Sequence, residues 1–214
     1  MLRSRTIGED DLLVEFLTPQ YGRVHGIARH GRKSHKRFGP VLEPLNIVRL
    51  SYRDGGGLVS LREAVLADPL IRLENDLERL AEGLYFIDLI RQWAPERNPD
   101  PRLYILLKES LQALSDGAAV LKLVARFEYR LLDLAGLKPN LEGCSDCGRP
   151  HEAGTFYFVF TDGGIFCGNC LPVGKAHEEW TPPREPEILR RFIEFQLGKP
   201  LRSRKLLTEG SLSG

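Results

Sequence analysis

The chain lacks both long apolar runs and the motifs of an enzyme. No segment approaches the ~18 consecutive apolar residues of a membrane helix. The first residues, M-L-R-S-R-T-I-G-E-D-D, have no apolar core of a secretory signal. A Gly-rich phosphate-binding loop, a Gly-x-Ser-x-Gly motif and an H-E-x-x-H motif are missing as well. We therefore expect neither a membrane protein nor an enzyme.

Net charge is also nearly absent, since 30 Lys and Arg oppose 29 Asp and Glu, but the charges are unevenly distributed. Between residues 16 and 42 there is no acidic residue. The window carries three histidines and six basic side chains, Arg23, Arg29, Arg32, Lys33, Lys36 and Arg37. Its densest part, H-G-R-K-S-H-K-R-F-G-P, predicts a loop that contacts nucleic-acid phosphates. A solvated basic loop without a partner would have the same composition.

Three aromatic residues are candidates for base stacking, Tyr21, Phe38 and Tyr52. Ordinary packing is the alternative for each. No motif for reading base edges is found, so sequence-specific binding is not predicted.

Only four cysteines occur, and they form two C-x-x-C pairs, C-S-D-C at 144–147 and C-G-N-C at 167–170. Two such turns can direct four thiolates at one ion. The spacing favours one structural Zn²⁺ bound by Cys144, Cys147, Cys167 and Cys170. With no open ligand position, this metal would hold the fold rather than activate water. Two disulfides, a catalytic dithiol and chance spacing are the alternatives. Paired thiols without a secretory signal indicate the cytosol.

Short strands with Gly-rich turns are predicted up to residue 68, at 12–17, 23–29, 45–52 and 58–66, with Gly26 at a bulge or close approach. They favour an OB-type β-barrel, with an SH3-like barrel as the alternative. Leucines at steps of three and four then predict a helical domain over 69–205. This domain would contain a zinc ribbon over 142–172 and end before a disordered tail at 206–214. The predicted fold class is therefore α+β.

Several segments, taken in order, resemble the RecO family of bacterial DNA repair and recombination mediators. They are L-R-S-R-x-x-G-E-x-D (2–11), L-T-P-Q-Y-G-R-V-x-G-I-A-R-x-G-R (17–32), L-x-x-A-G-L-K-P-x-L-x-x-C-x-x-C-G (132–148) and G-G-x-x-C-x-x-C (163–170). Members usually have several residues before the L-R-S-R segment, so either a short first strand or a misplaced start codon is expected. The four cysteines match the family's zinc ligands, and the residues from Arg29 to Arg37 fall in its basic barrel region.

The resemblance implies an OB fold that binds single- and double-stranded DNA and anneals complementary strands. It also implies partnership with single-stranded-DNA-binding protein and with RecR in loading RecA, in the cytoplasm at the nucleoid. Two other classes of protein stay open from the residues alone. A zinc-ribbon accessory protein of transcription or translation predicts basic residues inside the ribbon, where only Arg149 is found. A thiol-dependent enzyme predicts a reactive cysteine of low pKa.

Overall fold

The computed structural model describes residues 1–34, 36–68, 70 and 76–201. Five strands come first: β1 (Arg3–Ile7), β2 (Asp11–Thr18), β3 (Gly22–Ala28), β4 (Ile47–Arg53) and β5 (Val59–Asp68). Two helices follow, α1 (Leu77–Trp93) and α2 (Pro101–Ser115). The remaining elements are α3 (Val120–Leu134), β6 (Phe156–Val159), β7 (Gly164–Cys167), β8 (His177–Trp180) and α4 (Glu185–Leu197). The predicted mixture of strands and helices is confirmed. Within the described ranges, none of the helices is long and apolar enough to cross a membrane.

The first five strands form one sheet in the order β1-β2-β3-β5-β4, with a parallel contact between β3 and β5. Inward-facing residues of β2, β3 and β5 make an apolar core together with two residues of the segment between β3 and β4; the core consists of Val14, Phe16, Val24, Ala28, Phe38, Leu42, Val59, Leu61 and Ala64. Gly26 is the predicted close-approach point, because a Cβ there would lie 2.4 Å from the Leu61 side chain.

A closed OB-type barrel is not confirmed. Strands β1 and β4 are the two edges of the sheet, and no ladder joins them among the described residues. All five residues of β1 pair with β2 instead. The segments that lead into the two edge strands are joined by two hydrogen bonds, since the Leu45 amide donates to the Met1 carbonyl at 3.1 Å and the Met1 amino group donates to the Asn46 carbonyl at 2.6 Å.

The chain divides into two compact units, Met1–Val120 and Leu121–Leu201. The first unit contains α1 and α2 as well as the five-stranded sheet. Its sheet is tied to the connection between these helices. Gly22, at φ +66°, leaves room for only a hydrogen at the Asn98 carbonyl, which a Cβ would approach to 2.4 Å. The predicted tail at 206–214 lies outside the described residues.

In the second unit, β6 lies between β7 and β8 in an antiparallel sheet. The predicted ribbon hairpin corresponds to β6 and β7, whereas β8 was not predicted. The Phe158 and Phe192 rings, 5.2 Å apart, connect this sheet to α4. Glu128 of α3 is fully buried and accepts a hydrogen bond from Arg190 of α4 at 3.1 Å.

Candidate metal centre and basic surface

The four cysteines meet at one end of the β6–β7 hairpin. Cys144 and Cys147 lie on a tight turn in which the Gly148 amide donates to the Cys144 carbonyl at 2.9 Å. Cys167 ends β7, and the Cys170 amide closes the second turn on the Cys167 carbonyl at 2.9 Å. The two turns are joined because the Cys167 amide donates to the Cys144 sulfur at 3.4 Å. Turns with amides directed at sulfur favour the thiolate form.

The sulfur positions fit a metal ion. All four Sγ atoms lie within 4.8 Å of one another, and those of Cys147 and Cys167 are 3.8 Å apart. Tetrahedral zinc with Zn–S bonds of about 2.3 Å places its ligand sulfurs roughly 3.8 Å apart. A disulfide would need about 2.05 Å, and the four cysteines are free. The four cysteines could therefore hold one metal ion.

The protonation of Cys144 agrees with this role. Burial acts to raise the pKa of its thiol, but backbone N–H groups, including those of Cys147 and Cys167, outweigh the burial and bring the pKa to about 6. A thiolate ready to bind metal is therefore present at neutral pH. Among the described residues the group consists of the four cysteines without His151 or His177, whose Nδ1 atoms interact with the backbone carbonyls of Glu142 and Lys175.

The basic loop, residues 29–37, begins where β3 ends, beside the turn between β1 and β2. The Lys33 ammonium binds Asp10 at 2.8 Å, and Arg32 donates to the Glu9 carbonyl at 3.1 Å. Arg37 is used inside the loop, where it donates to the Ser34 hydroxyl and the Arg29 carbonyl, each at 2.8 Å. The exposed basic side chains of the loop are thus Arg29, Arg32, Lys33 and Lys36. His35 lies outside the described residues.

Arg23 occupies a different place from the other five predicted contacts. Its guanidinium donates to Glu15 at 2.9 Å and to the Ala94 carbonyl at 3.0 Å. Arg91 of α1 donates to the second oxygen of Glu15, also at 2.9 Å. Glu15 is only 4% exposed, so two arginines compensate one buried carboxylate. This cluster joins the sheet to the end of α1.

The Glu15 cluster should make the stability of the protein depend on pH. Burial acts to raise the pKa of Glu15, but hydrogen bonds from Arg23 and Arg91 outweigh it and hold the pKa below its ordinary value. A lowered pKa gives stability above the unfolded value of about 4.3, and this stability is lost as the pH falls through the folded pKa. We expect Glu15→Gln to lower the free energy of unfolding at neutral pH by about 2 kcal/mol.

Urea unfolding of Glu15→Gln and wild type, from about pH 7 down to about pH 2 so that the folded pKa is crossed, checks this prediction. The difference between the two proteins should shrink as the pH falls. Glu9→Gln is the matched control, since Glu9 is exposed. A difference that stays constant over the whole pH range would contradict the ionic role of Glu15.

Exposed arginines on the strands were missed in the sequence. Arg3 and Arg5 alternate along β1, and Arg49 and Arg53 occupy alternate positions of β4. All four side chains are exposed, and their register partners, Glu15, Leu13, Val65 and Ser60, do not belong to the apolar core. In the sequence these arginines recur at every second or fourth position. This spacing indicates an exposed basic face only once the strand register is known.

The three candidate stacking residues differ in exposure. Phe38 is 1% exposed and belongs to the core, with the Arg37 guanidinium over its ring at 4.9 Å. Tyr52 is half-buried, and its ring lies 5.8 Å from that of Phe16. Tyr21 is 57% exposed, in the turn between β2 and β3. Packing is therefore the role of Phe38, whereas Tyr21 has a ring face available.

The fold and the site define a protein of two units, an N-terminal unit with a sheet and a basic loop and a later unit with four cysteines that could hold a metal ion. Two family models match the chain in the same order. "Recombination protein O N terminal" covers residues 1–70, and "Recombination protein O C terminal" covers residues 74–186.

Curated relatives agree with the family models. A DNA repair protein RecO of Syntrophobacter fumaroxidans is 36% identical over 82% of this chain and 70% of its own length. That of Anaeromyxobacter sp. (strain K) is 32% identical over 100% of this chain and 96% of its own length. The Bacillus pumilus protein is 28% identical over 93% and 77%. The chain belongs to the RecO family of DNA repair proteins.

Proposed function

We propose that the protein is a recombination mediator in DNA repair. It binds single- and double-stranded DNA and anneals complementary strands. With RecR it helps to load RecA on DNA covered by single-stranded-DNA-binding protein. Family membership along the chain supports this assignment. The main structural observation behind it is the exposed basic loop with Arg29, Arg32, Lys33 and Lys36. On the same ground we expect the protein in the cytoplasm, at the nucleoid.

Annealing requires no bond chemistry. Two DNA strands repel each other through their phosphates, and a protein that neutralises phosphates on both strands lowers this barrier to base pairing. The loop provides cations for one strand, and the exposed arginines of β1 and β4 provide further cations on the same unit. Their side chains are long and solvated, so they can follow phosphates without reading bases. We accordingly assign no catalytic residue.

The metal in this proposal is one structural Zn²⁺ bound by Cys144, Cys147, Cys167 and Cys170. Four thiolates at tetrahedral spacing are a closed structural donor set. The ion crosslinks two turns that the hairpin only brings together at one end. With the two turns joined in this way, the sheet of β6, β7 and β8 is held in place.

The first experiment is binding of a fluorescent single strand of scrambled sequence over a salt series, together with an annealing assay. We expect sequence-indifferent binding whose log affinity falls linearly with log salt between about 50 and about 200 mM, and faster annealing of complementary strands. Weak binding, or an affinity that does not change with salt concentration, would contradict the DNA-binding role. In that case the ribbon should be tested for other nucleic-acid or protein partners.

A further inference from the structure

A cavity of about 410 Å³ opens in the first unit between the sheet and α2. Three segments supply most of its wall: the end of β2 with the turn that follows it, the strand β4 with the residues just before it, and one face of α2. Met1 and Leu2 complete the wall. Cavities of roughly 300–1,000 Å³ are the usual size of small-ligand sites. This cavity lies apart from the basic loop, since none of the described residues between 22 and 44 lines it.

Tyrosine is the aromatic residue that all three segments contribute. Tyr21 comes from the turn, Tyr52 from β4 and Tyr104 from α2. Tyr52 and Tyr104 are half-buried and Tyr21 is exposed, so the rings extend from the wall to the mouth. Flat π-faces at several depths suit a flat, aromatic ligand, because stacking needs a ring face rather than a particular hydrogen-bond pattern.

The charge of the cavity restricts the ligand further. Among the described residues that line it there is no acidic one, and Lys108 is their only charged side chain, while the amino group of Met1 donates to the Asn46 carbonyl. Among the described residues, Lys108 has no carboxylate partner. Gln20 adds an exposed amide at the mouth. An apolar, aromatic interior with one cation fits a ligand that combines a flat ring with an anionic group, as a nucleotide does.

We propose that this cavity binds one unstacked base of single-stranded DNA, with Tyr21 and Tyr104 as stacking faces and Lys108 as partner of an adjacent phosphate. The proposal rests on the DNA binding proposed above and deepens it. A base in a duplex is held by its pair and its neighbours, and removing it costs a few kcal/mol. The cavity therefore gives preference for single strands, whereas the basic loop serves both forms of DNA.

Oligonucleotides with and without bases test the proposal directly. A strand of about 15 nucleotides is compared with one of the same length whose sugars are all abasic, so that the phosphates are identical. Wild type should bind the normal strand about tenfold more tightly than the abasic one. The double variant Tyr21→Ala/Tyr104→Ala should lose this preference and keep its affinity for duplex DNA. Tyr21→Phe should keep the preference, because the ring remains.

Tyr129→Ala is the matched control, since Tyr129 lies on α3 in the other unit. Circular dichroism of each variant checks that it is folded. The inference is overturned if the double variant still prefers the normal strand, or if its affinities for single strands and duplex fall equally. Failure of the proposed function looks different, because wild type would then bind neither form of DNA in a salt-dependent way.

Discussion

Reversal of three charges in the basic loop, Arg29→Glu, Arg32→Glu and Lys36→Glu, is expected to weaken binding of single-stranded DNA on the order of 100-fold. Each of these side chains is exposed and can release a counterion when it meets a phosphate. Losing three contacts should also lower the slope of log affinity against log salt by about 2 for a single strand. Fluorescence anisotropy over a salt series measures both quantities. Arg23 and Arg37 are left unchanged because they bind inside the protein.

The matched control changes the same amount of charge elsewhere. Lys122, Arg126 and Arg130 are exposed on α3, one helical turn apart, and their reversal to Glu shifts the net charge equally. If binding depends on the loop, the control should retain most of the affinity and of the salt slope. Equal losses in both triple variants would mean that overall charge, and not this surface, determines binding.

Removal of the metal should loosen the three-stranded sheet of the second unit. Purified protein is expected to hold one zinc per chain, and Cys144→Ser should lose it together with much of the stability of this sheet, because binding of a structural zinc is worth about 10 kcal/mol or more in small folds. Trp180 reports the change, since it is 4% exposed and pairs with Phe156, which pairs in turn with the ligand Cys167. Its emission should move to longer wavelength.

A Trp93→Phe background makes this signal specific, because residues 93 and 180 are the two tryptophans of the chain. His177→Ala is the control, as His177 is exposed on β8 and lies outside the cysteine cluster. It should keep its zinc and its emission maximum. Full zinc content in Cys144→Ser, or an unchanged Trp180 environment after chelation, would contradict a structural metal centre.

Local patterns carried much of this structure. Period-two alternation and Gly-rich turns predicted β2 to β5 within about two residues at each end, and leucine spacing predicted the four helices. Strand β8 was missed because H-E-E-W is short and mostly polar, and only Trp180 is buried. The position of β8 depends on pairing with β6, which no local sequence pattern predicts. Closure of a barrel likewise requires pairing of β1 with β4, which are far apart in the sequence. Local patterns do not report such pairing, and the sequence therefore suggested a closed barrel.

The sequence by itself determined the four candidate metal ligands, the acid-free window and the family, since each depends on residue type and spacing along the chain. Only the tertiary structure decided which side chains are exposed and available to bind a ligand. It turned Arg23 inward to Glu15 and placed Phe38 in the core, because a buried carboxylate needs cations and an apolar interior needs filling. It also brought Tyr21, Tyr52 and Tyr104 to one cavity. Contacts between residues far apart in the chain arise from packing, which periodicity does not encode.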